Sequence, residues 1–412
     1  MNDYIIIINI ISNVLNGNSL NIVFNNKIRQ NNNCNISKVK DISYGVIRYY
    51  DQLSIIIKYL IKINKFSQTI NVVILIGLYE LIYTKKANYA VVSFLVDIVY
   101  SITKQNNDKV FVNAVLRNFL RSKIEIDSKY ANNLEYKYSL KKWWINKIIE
   151  EYPSNYLDIL DNINEIPNIC LRINKRKLSL ENYAKELDLA NIKYKIVENT
   201  IICNKNTQIN KLPYFNDGYV SVQNISAQKI LDMYDFFENS YVLDACCAPG
   251  GKLCAVLENH NVNIIGIDID SSRIHKVKEN LVRLDLSANI NLGDVTNLEW
   301  WDKKMFDCII ADVPCSASGT IKKNPDIKIH RKPNDIQNIV LIQRAIVNNL
   351  LKTLKIGGKL LYITCSIFSE ENESNIKYFI DNFRNVMILK DLKIIPDDYR
   401  DGFYYCLLEK IN

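Results

Sequence analysis

From about residue 239 to the end, short apolar runs alternate with amphipathic stretches of helical period, and no other feature of the chain narrows its fold as much. YVLDA, NIIGIDID, INLGD, DCIIADV, KLLYIT and FYYCLLEK read as strands. Between several of them lie helical runs such as SRIHKVKENLVRL, where Ile274, Val277, Leu281 and Leu284 make one stripe. The alternation predicts a mainly parallel sheet with helices on both faces, an α/β Rossmann-like domain over residues 239–412.

The rest reads differently. From 41 to 130 the apolar residues recur at helical spacing, as in Val46, Tyr49, Tyr50, Leu53, Ile56 and Ile57, in Val91, Phe94, Leu95 and Ile98, and in Phe111, Val115, Leu116 and Phe119. A bundle of about five helices is expected. The first 35 residues, rich in Asn and Ile and holding NNNCN, read as compositional drift without assigned function. In 131–238, ICLRINK reads as a strand, LENYAKELDLA as a helix and IKYKIVENTIIC as two short strands, a small α+β module in an order that single-strand RNA binders also use. Three domains follow: an all-α part at 1–130, the α+β adaptor at 131–238 and the Rossmann-like part at 239–412.

The net charge of +8 is localised: residues 1–130 carry 16 Lys and Arg against 8 Asp and Glu, and the remaining 282 residues carry 36 of each sign. A basic module on a neutral one suits a phosphate backbone, with a solvated basic face as the other reading. The ten cysteines have no repeated CxxC spacing and the three histidines stand apart, so no metal site is expected. The start, MNDYIIIINI, lacks a basic leader, and NVVILIGLYELIY is too short to span a bilayer and contains Glu80. These features predict a cytoplasmic protein with reduced thiols and no membrane contact.

After the first strand candidate comes DACCAPGGK, Asp244 to Lys252, where Gly250 and Gly251 let the backbone turn tightly and approach a ligand; a plain structural turn is the other reading. The second strand ends in Asp268, with Asp270 two further on; Asp294 ends the third and Asp312 the fourth. An acid at the first of these places suits ribose hydroxyls, and ligands of open α/β sheets bind at this carboxyl edge. So many acids suit a cofactor with an adenine amine, a ribose and a positive centre, which fits S-adenosylmethionine better than the pyrophosphate of NAD.

Cys315 and Cys365 close strands four and five on the same edge, each followed by a serine. Cys34, Cys170, Cys203, Cys308 and Cys406 read instead as small buried hydrophobes. Two edge thiols beside a sulfonium donor suit pyrimidine chemistry. The aromatic C5 is a poor nucleophile until a thiolate adds to C6 and makes C5 an enamine carbon. Such catalysis needs a nucleophile, a stabiliser for the N3 and amine region, and a release group, roles that Cys365, Asp312 and Cys315 can share.

DGYVSVQNISAQ, VLDACCAPGGK, IIGIDID, IIADVPCSASGTIKKNPDIK, LYITCSIFSEENE and DGFYYCLLEK together resemble the RsmB/Sun (Fmu) family of 16S rRNA (cytosine-5)-methyltransferases in the Nol/Nop/Sun superfamily. ILIGLYELIYT and FVNAVLRNFLR are similar to that family's NusB-like domain, so the likeness spans roughly 41–412. The resemblance implies S-adenosylmethionine bound by Cys246, Cys247, Ala248, Pro249, Gly250, Gly251 and Lys252 with Asp268, Asp294 and Asp312. It also implies that Cys365 is the nucleophile, that Cys315 aids release and that the methyl goes to C5 of cytosine 967 of 16S rRNA. In DNA cytosine methyltransferases the PC cysteine attacks instead, so these roles rest on the family. Four positions depart from its pattern: Cys247 for Ala, Leu253 for Thr, Asn224 for Asp, and SLKKWW (139–144) for HPSW.

The partner expected is RNA, not DNA, bound by a monomer. Lys322, Lys323, Lys328 and Arg331 follow the PCS motif and can reach RNA phosphates or sit in a solvated loop. A tRNA (cytosine-5)-methyltransferase, and a NusB-like RNA-binding factor with a non-catalytic second half, are the alternatives; a thiol redox enzyme is remote without a CxxC.

Overall fold

A helix that is apolar on every side has to be surrounded. NVVILIGLYELIY forms such a helix, Gln68–Tyr83, with every residue from Val72 to Glu80 buried and the Ser67 side chain accepting from Ile70 N at its start. The structure is a computed structural model that describes residues 2–31, 33–62 and 66–411. It divides the chain into two compact units, Met1–Glu165 with Ile321–Arg331, and Ile166–Thr320 with Lys332–Asn412.

In the first unit, Asn2–Leu15, Ile36–Arg48, Tyr50–Leu60, Asn88–Thr103 and Asn106–Lys129 pack around Gln68–Tyr83. The buried Glu80 is matched: Tyr4 Oη donates to it at 2.6 Å and Lys86 pairs with it. The Asn-rich and Ile-rich start is core, not drift. Ile7, Ile10, Ile11, Val14 and Leu20 are fully buried, in Asn2–Leu15 and at the start of Leu20–Gln30. Each such side chain contributes about 1.5–3 kcal/mol. Helical structure also runs past 130, through Leu134–Tyr138, Lys142–Glu151 and Tyr156–Asn162. Cys34 is half-buried against the helical core, whereas Cys170, Cys203, Cys308 and Cys406 are buried as expected.

The segment after the PCS motif belongs to this first unit, and two of its lysines, Lys322 and Lys328, are not free for phosphates. Lys328 is buried and donates to Ser139 O and Asn164 Oδ1, both at 2.8 Å, and to Arg48 O at 2.5 Å. Lys322 is buried with its ammonium 3.2 Å from Asn162 Oδ1. Of the four expected basic contacts, Lys323 stays exposed and Arg331 is half-buried. A buried ammonium needs acceptors, and the helical unit supplies them. No described helix is long and apolar enough to cross a membrane.

The second unit holds two sheets. The smaller is antiparallel in the order β2-β3-β1-β4: β1 (Ile169–Ile173), β2 (Tyr194–Val197), β3 (Thr200–Cys203) and β4 (Val220–Val222), with the helix Leu180–Leu189 between β1 and β2. The larger contains β5 (Tyr241–Asp244), β6 (Asn263–Asp268), β7 (Asn289–Leu292), β8 (Phe306–Asp312), β9 (Leu354–Thr364), β10 (Val386–Ile394) and β11 (Phe403–Lys410). Its order is β10-β11-β9-β8-β5-β6-β7, parallel from β9 to β7, with β11 and β10 added antiparallel. From β5 the chain runs outward to β6 and β7, then returns to place β8 on the other side. That reversal opens a crevice at the carboxyl ends of β5 and β8.

Candidate active site

β5 delivers Asp244 to this crevice. Its side chain is buried and neither carboxylate oxygen has a hydrogen-bond partner. Burial first, then repulsion from Asp312, pushes its pKa up to about 8, with Lys252 opposing. The sequence reading placed Asp244 at the head of its motif without giving it a role; only burial marks it out.

The loop beyond turns sharply. Gly250 N donates to Cys247 O at 2.7 Å, and Gly250 adopts a φ of 96°, which a side chain resists. The helix Gly251–Asn259 starts there, and a buried bidentate pair, Arg172 on β1 with Glu258, joins that helix to the small sheet at 2.8 Å per bond. Arg172 also donates to Gly251 O at 2.7 Å. Neither Arg172 nor Glu258 stood out in the sequence, since a charge in a strand and one in a helix show no sign of meeting.

Within the loop, Ala248 N donates to Asp268 Oδ2 at 3.0 Å, and Asp270 N to the other oxygen at 3.0 Å. Asp268 is thus fixed at the tip of β6, directed by two backbone amides. Asp270 is a helix cap, accepting from Ser272 N and Arg273 N. Asp294 follows β7 and accepts from Thr296 N and Oγ1 at 2.8 and 2.7 Å. Cys246 is half-buried, its thiol pushed well up by burial and then by Asp312. Cys247 belongs to the core: its side chain packs so near Gly266 that a Cβ there would lie 2.9 Å from Sγ. Leu253 is likewise fully buried, so an apolar residue suits that place. Asn224 accepts from Ser226 N and Asp401 N, and its amide donates to Tyr399 O, a bond an Asp could not make.

β8 and β9 run side by side in parallel with Asp312 opposite Ile363, and Val313 N donates to Ile363 O at 3.1 Å. Three residues past Asp312 and two past Ile363, the sulfurs of Cys315 and Cys365 lie 3.2 Å apart. The Cys315 thiol is pushed well up, first by its hydrogen bond with Cys365 and then by burial. Lys252 Nζ bonds Asp312 Oδ2 at 2.6 Å and stands 5.3 Å from the centre of the Phe403 ring. Burial would lower that ammonium's pKa, but Asp312, then Cys365 and Asp244, reverse the shift and the net is upward.

The loops that carry both cysteines meet at two glycines. Gly319 N donates to Cys365 O and Gly402 N to Gly319 O, each at 2.9 Å, and a Cβ on Gly319 would fall 2.1 Å from Gly402 O. The structure therefore brings together Cys315, Cys365, Asp312 and Lys252, with Asp244 within electrostatic reach, and sets Asp268 and Asp294 along the same edge. Beneath the cysteines, a polar cluster around Glu371 also escaped the sequence reading, although SEENE spells its acid.

Comparison with known proteins matches each part. Residues 232–408 match the family described as 16S rRNA methyltransferase RsmB/F, residues 4–121 the NusB family, and residues 141–210 the ferredoxin-like domain of RsmF/B-like methyltransferases. The ribosomal RNA small subunit methyltransferase B of Proteus mirabilis is 35% identical over 380 residues, 90% of each chain. That of Yersinia enterocolitica is 34% identical over 388 residues, again 90% of each. Among solved structures, PH0851 superposes with a TM-score of 0.82 at 21% identity, covering 98% of this chain and 97% of that one. NSun6 from Pyrococcus horikoshii with SFG gives 0.61 at 19%, covering 67% and 100%.

Proposed function

This chain belongs to the ribosomal RNA small subunit methyltransferase B family, enzymes that use S-adenosylmethionine to methylate 16S rRNA, and we propose that it works on C5 of cytosine 967 through a covalent adduct with Cys365. The observation that carries the reading is the 3.2 Å approach of two thiols at the carboxyl edge of adjacent parallel strands. The cofactor supplies an electrophilic methyl on a positive sulfur. The residues fit it: Asp244 holds two buried oxygens in need of a donor, and Asp268 stands oriented where a ribose diol would bind.

The Cys365 thiolate adds to C6 of the cytosine. The electron pair moves to C5, which takes the methyl as the bond between methyl and sulfonium breaks. C5 then gives up its proton to solvent water, the C6–S bond breaks and the ring regains aromaticity. Asp312 accepts from the exocyclic amine of the ring. Cys315 serves release, its thiol donating to the departing sulfur anion. A base in a helix must leave its stack to reach these groups.

The basic surplus of residues 1–130 supports RNA docking there, with 131–238 positioning the substrate and 239–412 doing the chemistry. The reading takes the enzyme as a cytoplasmic monomer acting on RNA, without DNA or membrane. Bisulfite mapping of total RNA from a deletion strain tests the target: loss of a single 16S modification is expected, whereas loss of a tRNA modification would reassign the substrate.

A further inference from the structure

Each of the two edge cysteines is followed by a serine, and both serines close on one acid. Ser316 and Ser366 hydroxyls each donate to Glu371 Oε1, both at 2.5 Å, and Ser316 N donates to Oε2 at 2.7 Å. The two hydroxyl oxygens lie 3.1 Å apart, and Ser318 Oγ sits 3.1 and 3.0 Å from them while accepting from Ile367 N at 2.9 Å. Gln343 completes the cluster, with Nε2 3.3 Å from Glu371 Oε2 and 3.0 Å from Pro314 O. Tyr362 Oη donates to the backbone carbonyl of Glu371 at 2.6 Å. Ser316, Ser366 and Glu371 are all buried.

An acid in this place is costly unless its charge is matched by donors. Here four converge on one carboxylate, two from the loop after β8, one from the loop after β9 and one from Gln343. Nothing in the assigned chemistry uses them. We propose that Glu371 is the positioning residue of the cysteine pair: by accepting from the residue after each cysteine, it locks the two loops in the register that sets their sulfurs side by side. The proposal rests on the two-cysteine reading above.

The clasp has an electrostatic consequence. The groups that face Cys315 are Cys365, Glu371 and Tyr362, with the Ala317 amide. A carboxylate at 371 favours the protonated form of Cys315, the form that a release role needs. Burial pushes Glu371 itself upward, and the hydrogen bonds from Ser316, Ser366 and Gln343 pull the other way.

The test uses the full-length enzyme. Glu371→Gln keeps the shape and removes the charge. Its kcat is expected to fall about 10- to 100-fold with the KM for S-adenosylmethionine within twofold, the size of effect that loss of sub-ångström positioning gives. In a Cys365→Ala background, the rate of Cys315 alkylation by iodoacetamide against pH is expected to move to lower pH when Glu371→Gln is added, which a purely packing role would not do. An unmoved alkylation profile overturns the electrostatic part. Should Glu371→Gln fail to fold, Ser316→Ala with Ser366→Ala takes its place: a kcat within twofold of the parent overturns the clasp, and a fall at unchanged KM supports it. Alkylation needs no methyl transfer, so it reads Glu371 even if Cys365→Ala retains turnover and the nucleophile lies elsewhere.

Discussion

Lys328 in the helical unit and Asp244 in the catalytic one are both buried ionisable groups, and they are treated in opposite ways. Lys328 meets three acceptors on the elements that surround it, whereas Asp244 meets no donor at all. A buried ionisable group with every bond made fastens the chain; one with none made is available to a ligand. The same contrast separates Arg172, held bidentately by Glu258, from Asp244.

The largest effect should come from the open edge. Cys365→Ala is expected to lower methylation by at least about a thousandfold, with cofactor affinity measured by calorimetry nearly intact. Retained turnover would move the nucleophile elsewhere. Cys315→Ala should come next: a first turnover that stalls, seen as a protein–RNA adduct surviving a denaturing gel. No adduct would leave Cys315 a structural role only.

Asp244→Asn sharpens the contrast directly. Cofactor affinity is expected to drop about 10- to 100-fold, the worth of hydrogen bonds to a charged partner. The acid's folded pKa lies above its unfolded value, so it binds more protons folded than unfolded between about pH 4 and 8. Its contribution is present at low pH and lost as pH rises through about 8. The ligand-free variant should therefore gain in melting temperature over the parent as pH climbs through that range; a constant difference would show that Asp244 is already ionised.

Lys328→Met gives the smallest effect on activity and the converse pH dependence. Burial, with Asp51 opposing, pulls the lysine below its ordinary pKa. Stability then rises with pH between that lowered value and the unfolded one, and its cost is fully present on the acid side. Removing the ammonium strands three acceptors, so a loss of about 2–4 kcal/mol is expected in denaturant titrations, with cofactor affinity unchanged. Weakened cofactor binding would break the division between fastening and open charges drawn here.

Much of this was legible in advance because it repeats along the chain. The stripe Ile274, Val277, Leu281 and Leu284 is buried in one helix, and all six strand candidates match strands, β5, β6, β7, β8, β9 and β11. β10 was missed since its outer residues, Met387 to Lys390, are exposed and give no alternation. β4 was missed because three residues carry no period. Residues 2–30 misled for another reason: Asn is a poor helix former, yet it occupies the wet face of helices whose Ile face is core. Cys247 was named for the ligand from its motif, but the loop gives its backbone to the turn and its sulfur to the core.

The order of residues alone determined the sheet with its acid-tipped strands and the two thiols at strand ends, because period and motif are local properties that neighbours in sequence enforce. Only the tertiary structure decided that the thiols lie in contact, that Lys322 and Lys328 are fasteners, that Asp244 lacks a partner and that Glu371 holds both cysteine loops. Those depend on which distant groups meet in a medium without water, where an unmatched charge is costly and a matched one is fixed in place.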